Sequence, residues 1–214
     1  MTPDTPGRKI FFQKGAFMKR LALVLLSLAV ASGCTSGSNP PPEKPKPAEP
    51  LTGRSAFQQL FISARGWAPD ARPYQLQSQA RPDSKGKDGK ALLWRGAFAS
   101  AAQSSSRSYV WSGVESQDTP RGVTPGTQDS YMPGNSFEMA FLKVDSDQAF
   151  DVAQKHGGEK ILQENPDTPV SYFLDWNRSE NNLVWHVIYG NGRNDAKLVA
   201  DVDASTGLFL RKEK

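Results

Sequence analysis

Apolar and polar residues alternate most clearly near the end of the chain. Leu183, Trp185, Val187 and Tyr189 take one set of alternate positions, and Val184, His186 and Ile188 take the other. Period two in β-branched and aromatic residues predicts a strand. Both faces are apolar apart from His186, so the strand is expected to be central. Gly190 to Asp195 has turn chemistry. Lys197 to Asp203 alternates again, Ala204-Ser205-Thr206-Gly207 turns the chain, and Leu208 to Arg211 returns. Further strands are predicted over Tyr74–Ala80, with its glutamines towards water, and over Leu92–Phe98, Arg107–Ser112 and Val170–Trp176.

Two stretches change to helical period. Ser55–Arg65 places Phe57, Leu60, Phe61 and Ala64 on one stripe, with Ser55 as N-cap and Gly66 as stop. Ser146–His156 does the same with Ala149, Phe150 and Ala153, capped by Asp145 or Ser146 and ended by Gly157-Gly158. Each helix carries an Ala-Phe pair near its start, and the pairs are 93 residues apart. Trp94 and Trp185, in matching strands, are 91 apart. Order and spacing predict an α+β fold of two tandem units, 55–144 and 145–214, each a helix packed on an antiparallel β-sheet. Spacing leaves open whether the two units share one continuous sheet. The fourth strand of the first unit is expected at Phe137–Val144. Residues 113–136 then form a long loop rich in Pro, Gly, Ser and Thr, either a flexible insertion or a binding loop.

Residues 1–54 are not expected to build a core. Met18-Lys19-Arg20 precedes an apolar run, Leu21 to Val30, and then Ala31-Ser32-Gly33-Cys34. A charged start, a short apolar run and small residues before a cut predict a signal peptide over 1–33, with Met18 as the expected true start. The run is too short to span a bilayer, which needs about 20 residues. Cys34 is the single cysteine. Small-small-Gly-Cys resembles the lipobox of bacterial lipoproteins, although Ala31 stands where that family most often has Leu. The resemblance implies cleavage between Gly33 and Cys34, and membrane attachment through an acylated Cys34. It places the protein in the bacterial cell envelope. With Thr35 after the cysteine, the family rule points to the outer membrane, facing the periplasm, in a host with two membranes. Residues 34–54 form the lipidated cysteine and a Pro-rich tether, which favours extended chain.

Charge narrows the list of partners. The net charge is +4, from 26 Lys and Arg against 22 Asp and Glu. Five of those basic residues and one acidic residue lie in 1–33, which leaves 21 of each in the rest. A neutral body has no basic stripe for phosphates, so no nucleic-acid partner is expected.

Catalytic constellations are missing from the sequence. His156 and His186 have no second ligand at metal spacing, and neither a Walker loop nor a nucleophile elbow is present. Asp201 to Ser205 resembles the start of a Ca²⁺ loop, but Thr206 and Lys212 stand where Gly and Glu are needed. No catalytic residue, metal or cofactor is expected, and the chain does not read as an enzyme. The tryptophans sit at strand period, so packing is their default role. Trp94, Trp111 and Trp185, with Tyr131 in the long loop, form a candidate partner surface if the sheets leave a concave face open.

The stretch 145–212 resembles a PepSY domain. The resemblance rests on Ser146-Asp147-Gln148-Ala149 at a helix start, Val184-Trp185-His186-Val187 in a strand, and the closing Val202-Asp203-Ala204-Ser205-Thr206-Gly207. The first unit matches in layout only. The resemblance implies a non-catalytic protein-binding module in the envelope, with a secreted peptidase that it restrains as one candidate partner. A structural envelope lipoprotein without a peptidase link, or a small-ligand-binding protein, are the alternatives.

Overall fold

The computed structural model describes residues 47–131 and 134–213. The expected signal peptide, Gly33, Cys34 and most of the expected tether lie outside the described residues. Ten strands and three α-helices follow in the order β1 (Leu51–Thr52), α1 (Gly53–Trp67), β2 (Arg72–Ser78), β3 (Lys90–Ala91), β4 (Leu93–Ser100), β5 (Ser105–Ser112), β6 (Gly122–Ser130), α2 (Ser146–Ala153), α3 (Glu159–Glu164), β7 (Val170–Asn177), β8 (Asn182–Tyr189), β9 (Leu198–Asp203) and β10 (Phe209–Lys212). The fold is α+β. Eight strands form one antiparallel sheet in the order β10-β9-β8-β7-β2-β4-β5-β6, while β1 and β3 pair separately.

Alternation puts every second residue on the same side of the sheet. One cross-strand row runs Phe209, Val202, Trp185, Leu174, Leu76, Gly96, Tyr109 and Pro125. This side carries the core, where Phe57 and Leu60 of α1 and Ala149 and Ala153 of α2 are fully buried with Trp94, Tyr172 and Trp185. Burying each large apolar side chain contributes about 1.5–3 kcal/mol. Gly96 lets α1 lie close on the sheet, since a Cβ there would come within 2.9 Å of Leu60 Cδ1.

Residues near 145 fasten the helices to each other. Asp145 caps α2 in a capping box with Gln148. Its Oδ1 also accepts from the Arg54 amide at 2.8 Å, and Ser146 Oγ accepts from the Gly53 amide at 2.7 Å. Ser146 Oγ in turn donates to the Gly89 carbonyl at 2.5 Å. The start of α1 is therefore capped by residues more than ninety positions away. The expected local cap at Ser55 is not used: α1 begins two residues earlier, at Gly53, and runs past Gly66 to Trp67.

Three other expectations are corrected. The fourth strand beside β5 is β6, inside the stretch expected to be a loop. Phe137–Val144 is instead a connector with a 3₁₀ turn at Met139–Phe141, and it buries Phe137 and Leu142 under the helices. The second helix does not stop at Gly157-Gly158. A π-helical turn, Gln154–Gly158, breaks at His156 and Gly157 and leads into α3. Gly157 takes φ +112, a left-handed conformation suited to glycine. The tether, expected to run to residue 54, packs sooner. Arg121 donates to the Pro47 carbonyl at 2.7 Å and pairs with Glu49 at 2.8 Å, and the Glu49 amide donates to Gly113.

Candidate functional site

Among the described residues, no helix lies on the opposite side of the sheet. Its central row crosses all eight strands: Arg211, Asp201, His186, Phe173, Gln77, Arg95, Val110 and Thr124. At the β8–β9 end this row is a buried charge network. His186 is 5% exposed and Asp201 0%. His186 Nδ1 lies 2.6 Å from Asp201 Oδ1, and Nε2 lies 3.0 Å from Asp175 Oδ1. Arg211 reaches Asp201 Oδ2 at 3.0 Å, a charge pair without the alignment of a hydrogen bond. Arg193 pairs with Glu213 at 2.8 Å, and Glu213 lies 3.9 Å from the His186 ring.

Burial is the largest influence on His186 and works against the charged ring. The hydrogen bonds to Asp175 and Asp201, together with the Asp201 charge, outweigh it and hold the pKa above the usual histidine value. Two carboxylates facing two ring nitrogens fit an imidazolium that donates from both. His186, Asp201 and Glu213 bring ligand atoms within 4.8 Å of one another. The two carboxylates already face the imidazole and two guanidiniums, which supply positive charge there. With both ring nitrogens engaged, neither is free to act as a general base.

Beside the network the surface opens. A hollow of about 510 Å³ is lined by Gln77, Ser171, Phe173, Ile188, Asn191 and Arg193. A second, of about 430 Å³, is lined by Gln77, Gln79, Leu93, Arg95 and Asn191. They share Gln77 and Asn191, so they form one groove over the β2–β7 seam. Its wall is the β8–β9 loop, where Asn191 Nδ2 donates to Asp195 and the Gly192 amide donates to the same carboxylate. Asp195 has its pKa lowered by these bonds, the one from Asn191 first. Among the described residues, Arg95 is the arginine with no hydrogen bond, ion pair or ring contact; the other arginines are engaged.

The candidate partner surface from the sequence is not assembled. Trp94 and Trp185 are fully buried and Trp111 is 4% exposed, because all three lie on the helix-covered side. Tyr131, half-buried, follows edge strand β6. The groove residues Gln77, Arg95, Phe173 and Asn191 were not singled out by sequence. The glutamine alternation of β2 and the single polar residue between Leu183 and Tyr189, His186, are the signals the sequence offers. The Asp201–Ser205 stretch is a strand end and turn: Asp203 Oδ1 accepts from the Ser205 and Thr206 amides.

No family model matches the chain, and no curated protein matches it. A solved structure of a protein from Clostridium difficile 630, described as a "putative lipoprotein", is similar with a TM-score of 0.44 and 10% identity, covering 72% of this chain and 88% of that one. At that distance the likeness carries no argument about activity. Among the described residues, no helix is long and apolar enough to cross a membrane.

Proposed function

We propose that this chain is a lipid-anchored, non-catalytic envelope lipoprotein whose body is a protein-binding module. The binding reading is carried by one observation: helices cover one face of the eight-stranded sheet, and the other face holds an open groove. The anchoring reading rests on Leu21–Val30 followed by Gly33-Cys34. Between Cys34 and Pro47 lies a proline-rich stretch of about a dozen residues, which would reach roughly 35 Å if extended. The tied imidazole of His186 supports a role without catalysis.

The body also reads as a duplication. A helix followed by a four-strand meander occurs twice, as α1 with β2, β4, β5 and β6, then as α2 with β7, β8, β9 and β10. Strands β2 and β7 meet at the seam. The second unit is the PepSY-like one by its residue pattern, and restraint of a secreted peptidase is the specific form of binding that this pattern suggests.

In-cell cross-linking of the full lipoprotein, followed by affinity purification and mass spectrometry, tests the reading. One secreted peptidase, or another single envelope partner, cross-linked to the body is the expected result. Recovery of envelope scaffolding alone would leave a structural lipoprotein. The same spectra identify the mature N-terminus, expected to be acylated Cys34.

A further inference from the structure

The groove over the β2–β7 seam combines three features. Arg95 stands in mid-strand on the open face and has no partner among the described residues. Phe173 supplies an apolar floor two strands away, with Arg193 over its ring at 5.6 Å. Gln77, Gln79 and Asn191 line the space between. Side-chain amides offer donors and acceptors together, which suits a backbone presenting both N–H and C=O groups. A guanidinium is the side chain best matched to a carboxylate, because its planar fork can make two parallel bonds.

We propose that this groove binds an extended peptide segment of a partner protein, with an acidic side chain paired to Arg95 and an apolar side chain laid on Phe173. The proposal deepens the protein-binding reading and rests on it. Charge selects the occupant. Arg95 is the uncompensated charge in the groove, since Arg193 is paired with Glu213 and the nearby Asp195 carboxylate is satisfied by its own loop. The spacing fits. Arg95 and Phe173 lie on β4 and β7, separated by β2, so their backbones are roughly 10 Å apart. Residues two apart in an extended chain face the same way at about 7 Å, and the long arginine side chain covers the difference.

The test uses the full chain in mild detergent and the synthetic probe acetyl-Glu-Ser-Phe-amide, with acetyl-Gln-Ser-Phe-amide as its uncharged twin. Binding is followed by isotope-edited NMR of arginine side chains and backbone amides. The Glu peptide is expected to perturb Arg95 and Phe173 and to bind roughly fivefold more tightly than the Gln peptide. Arg95→Gln is expected to abolish that preference, whereas Phe173→Ala weakens both peptides alike. Arg95 is exposed, so its variant retains the fold, and the unchanged spectrum elsewhere verifies this. Equal binding of the two peptides, a preference that survives Arg95→Gln, or equal perturbation by sodium acetate alone would each overturn the proposal. A cross-linked partner mapped away from the groove, together with failed peptide binding, removes the groove and leaves the wider reading intact. Absence of any partner in cells removes the wider reading itself.

Discussion

Trp94 and Trp185 make the same hydrogen bond at equivalent places. The Trp94 indole N–H donates to the Leu51 carbonyl at 2.9 Å, and that of Trp185 donates to the Val144 carbonyl, also at 2.9 Å. Leu51 stands two residues before α1, and Val144 two before α2. The rings meet edge to face, with centroids 6.4 Å apart at 68°. Each strand is thereby tied to the start of its own helix, and the two ties touch at the centre of the core.

Trp94→Phe and Trp185→Phe are expected to destabilise by similar amounts, about 1–3 kcal/mol each, because each leaves a carbonyl without its donor. Either Trp→Ala change should lose about 3–5 kcal/mol. Urea unfolding of the two Ala variants and the double variant should give a coupling of roughly 0.5–1.5 kcal/mol for the ring pair.

Ser146→Ala removes both the acceptor for the Gly53 amide and the donor to the Gly89 carbonyl. The expected loss is about 1–3 kcal/mol. Hydrogen exchange should accelerate at Gly53 in α1, far from the substitution in sequence. Asp145→Ala should expose the Arg54 and Ser146 amides together. If exchange changes in α2 alone, the shared cap does not operate in solution.

His186 should make stability depend on pH. Its folded pKa is above the unfolded value of about 6.5, so its contribution is complete below that pH and is lost as pH rises through the folded value. The groups facing it are Asp175 on β7, Asp201 on β9, Arg211 on β10, Glu213 just after β10 and Arg193 in the β8–β9 loop. His186→Gln leaves Asp201 buried with Arg211 as its remaining charge partner, a loss of roughly 3 kcal/mol at about pH 6. The gap between wild type and variant should narrow as pH climbs through the raised folded value. A constant gap from acid to alkaline pH would mean that the ring is not charged in the folded state.

Gly157→Ala should destabilise by about 1 kcal/mol or more, since φ +112 penalises any Cβ. Thermal denaturation measures this loss. Gly66→Ala, in the body of α1 with nothing within 4 Å of the added Cβ, is the control and should be neutral or mildly stabilising.

Strands with one buried face were legible in the sequence, because alternation is what burial on one side requires. Strand β6 was not. Its residues, GVTPGTQDS, lie at an edge and are largely exposed, so no apolar period marks them. Phe137–Val144 misled for the opposite reason: apolar residues that plug the space under the helices imitate a strand. The glycine pair Gly157-Gly158 reads as a helix stop, but it lies in a kinked π-helical turn that leads on into α3. The charge network is not legible in the sequence because Asp175 and Asp201 stand 11 and 15 residues from His186. Such partners meet through strand register, which local spacing does not encode. Arg95 was hidden in the same way, since being unpaired is a property of the whole surface around it.

The clamp on Pro47 and Glu49 decides how the body bears load. Tension on the chain ahead of residue 47 meets Arg121 and Gly113 first, at the β5–β6 connection, and then the two-residue pairing of β1 with β3. These few bonds lie outside the large sheet and can open one after another. A pull on the N-terminal chain would load the bonds at Pro47 and Glu49 before it reached Leu51, whose carbonyl passes the force to the buried Trp94 indole.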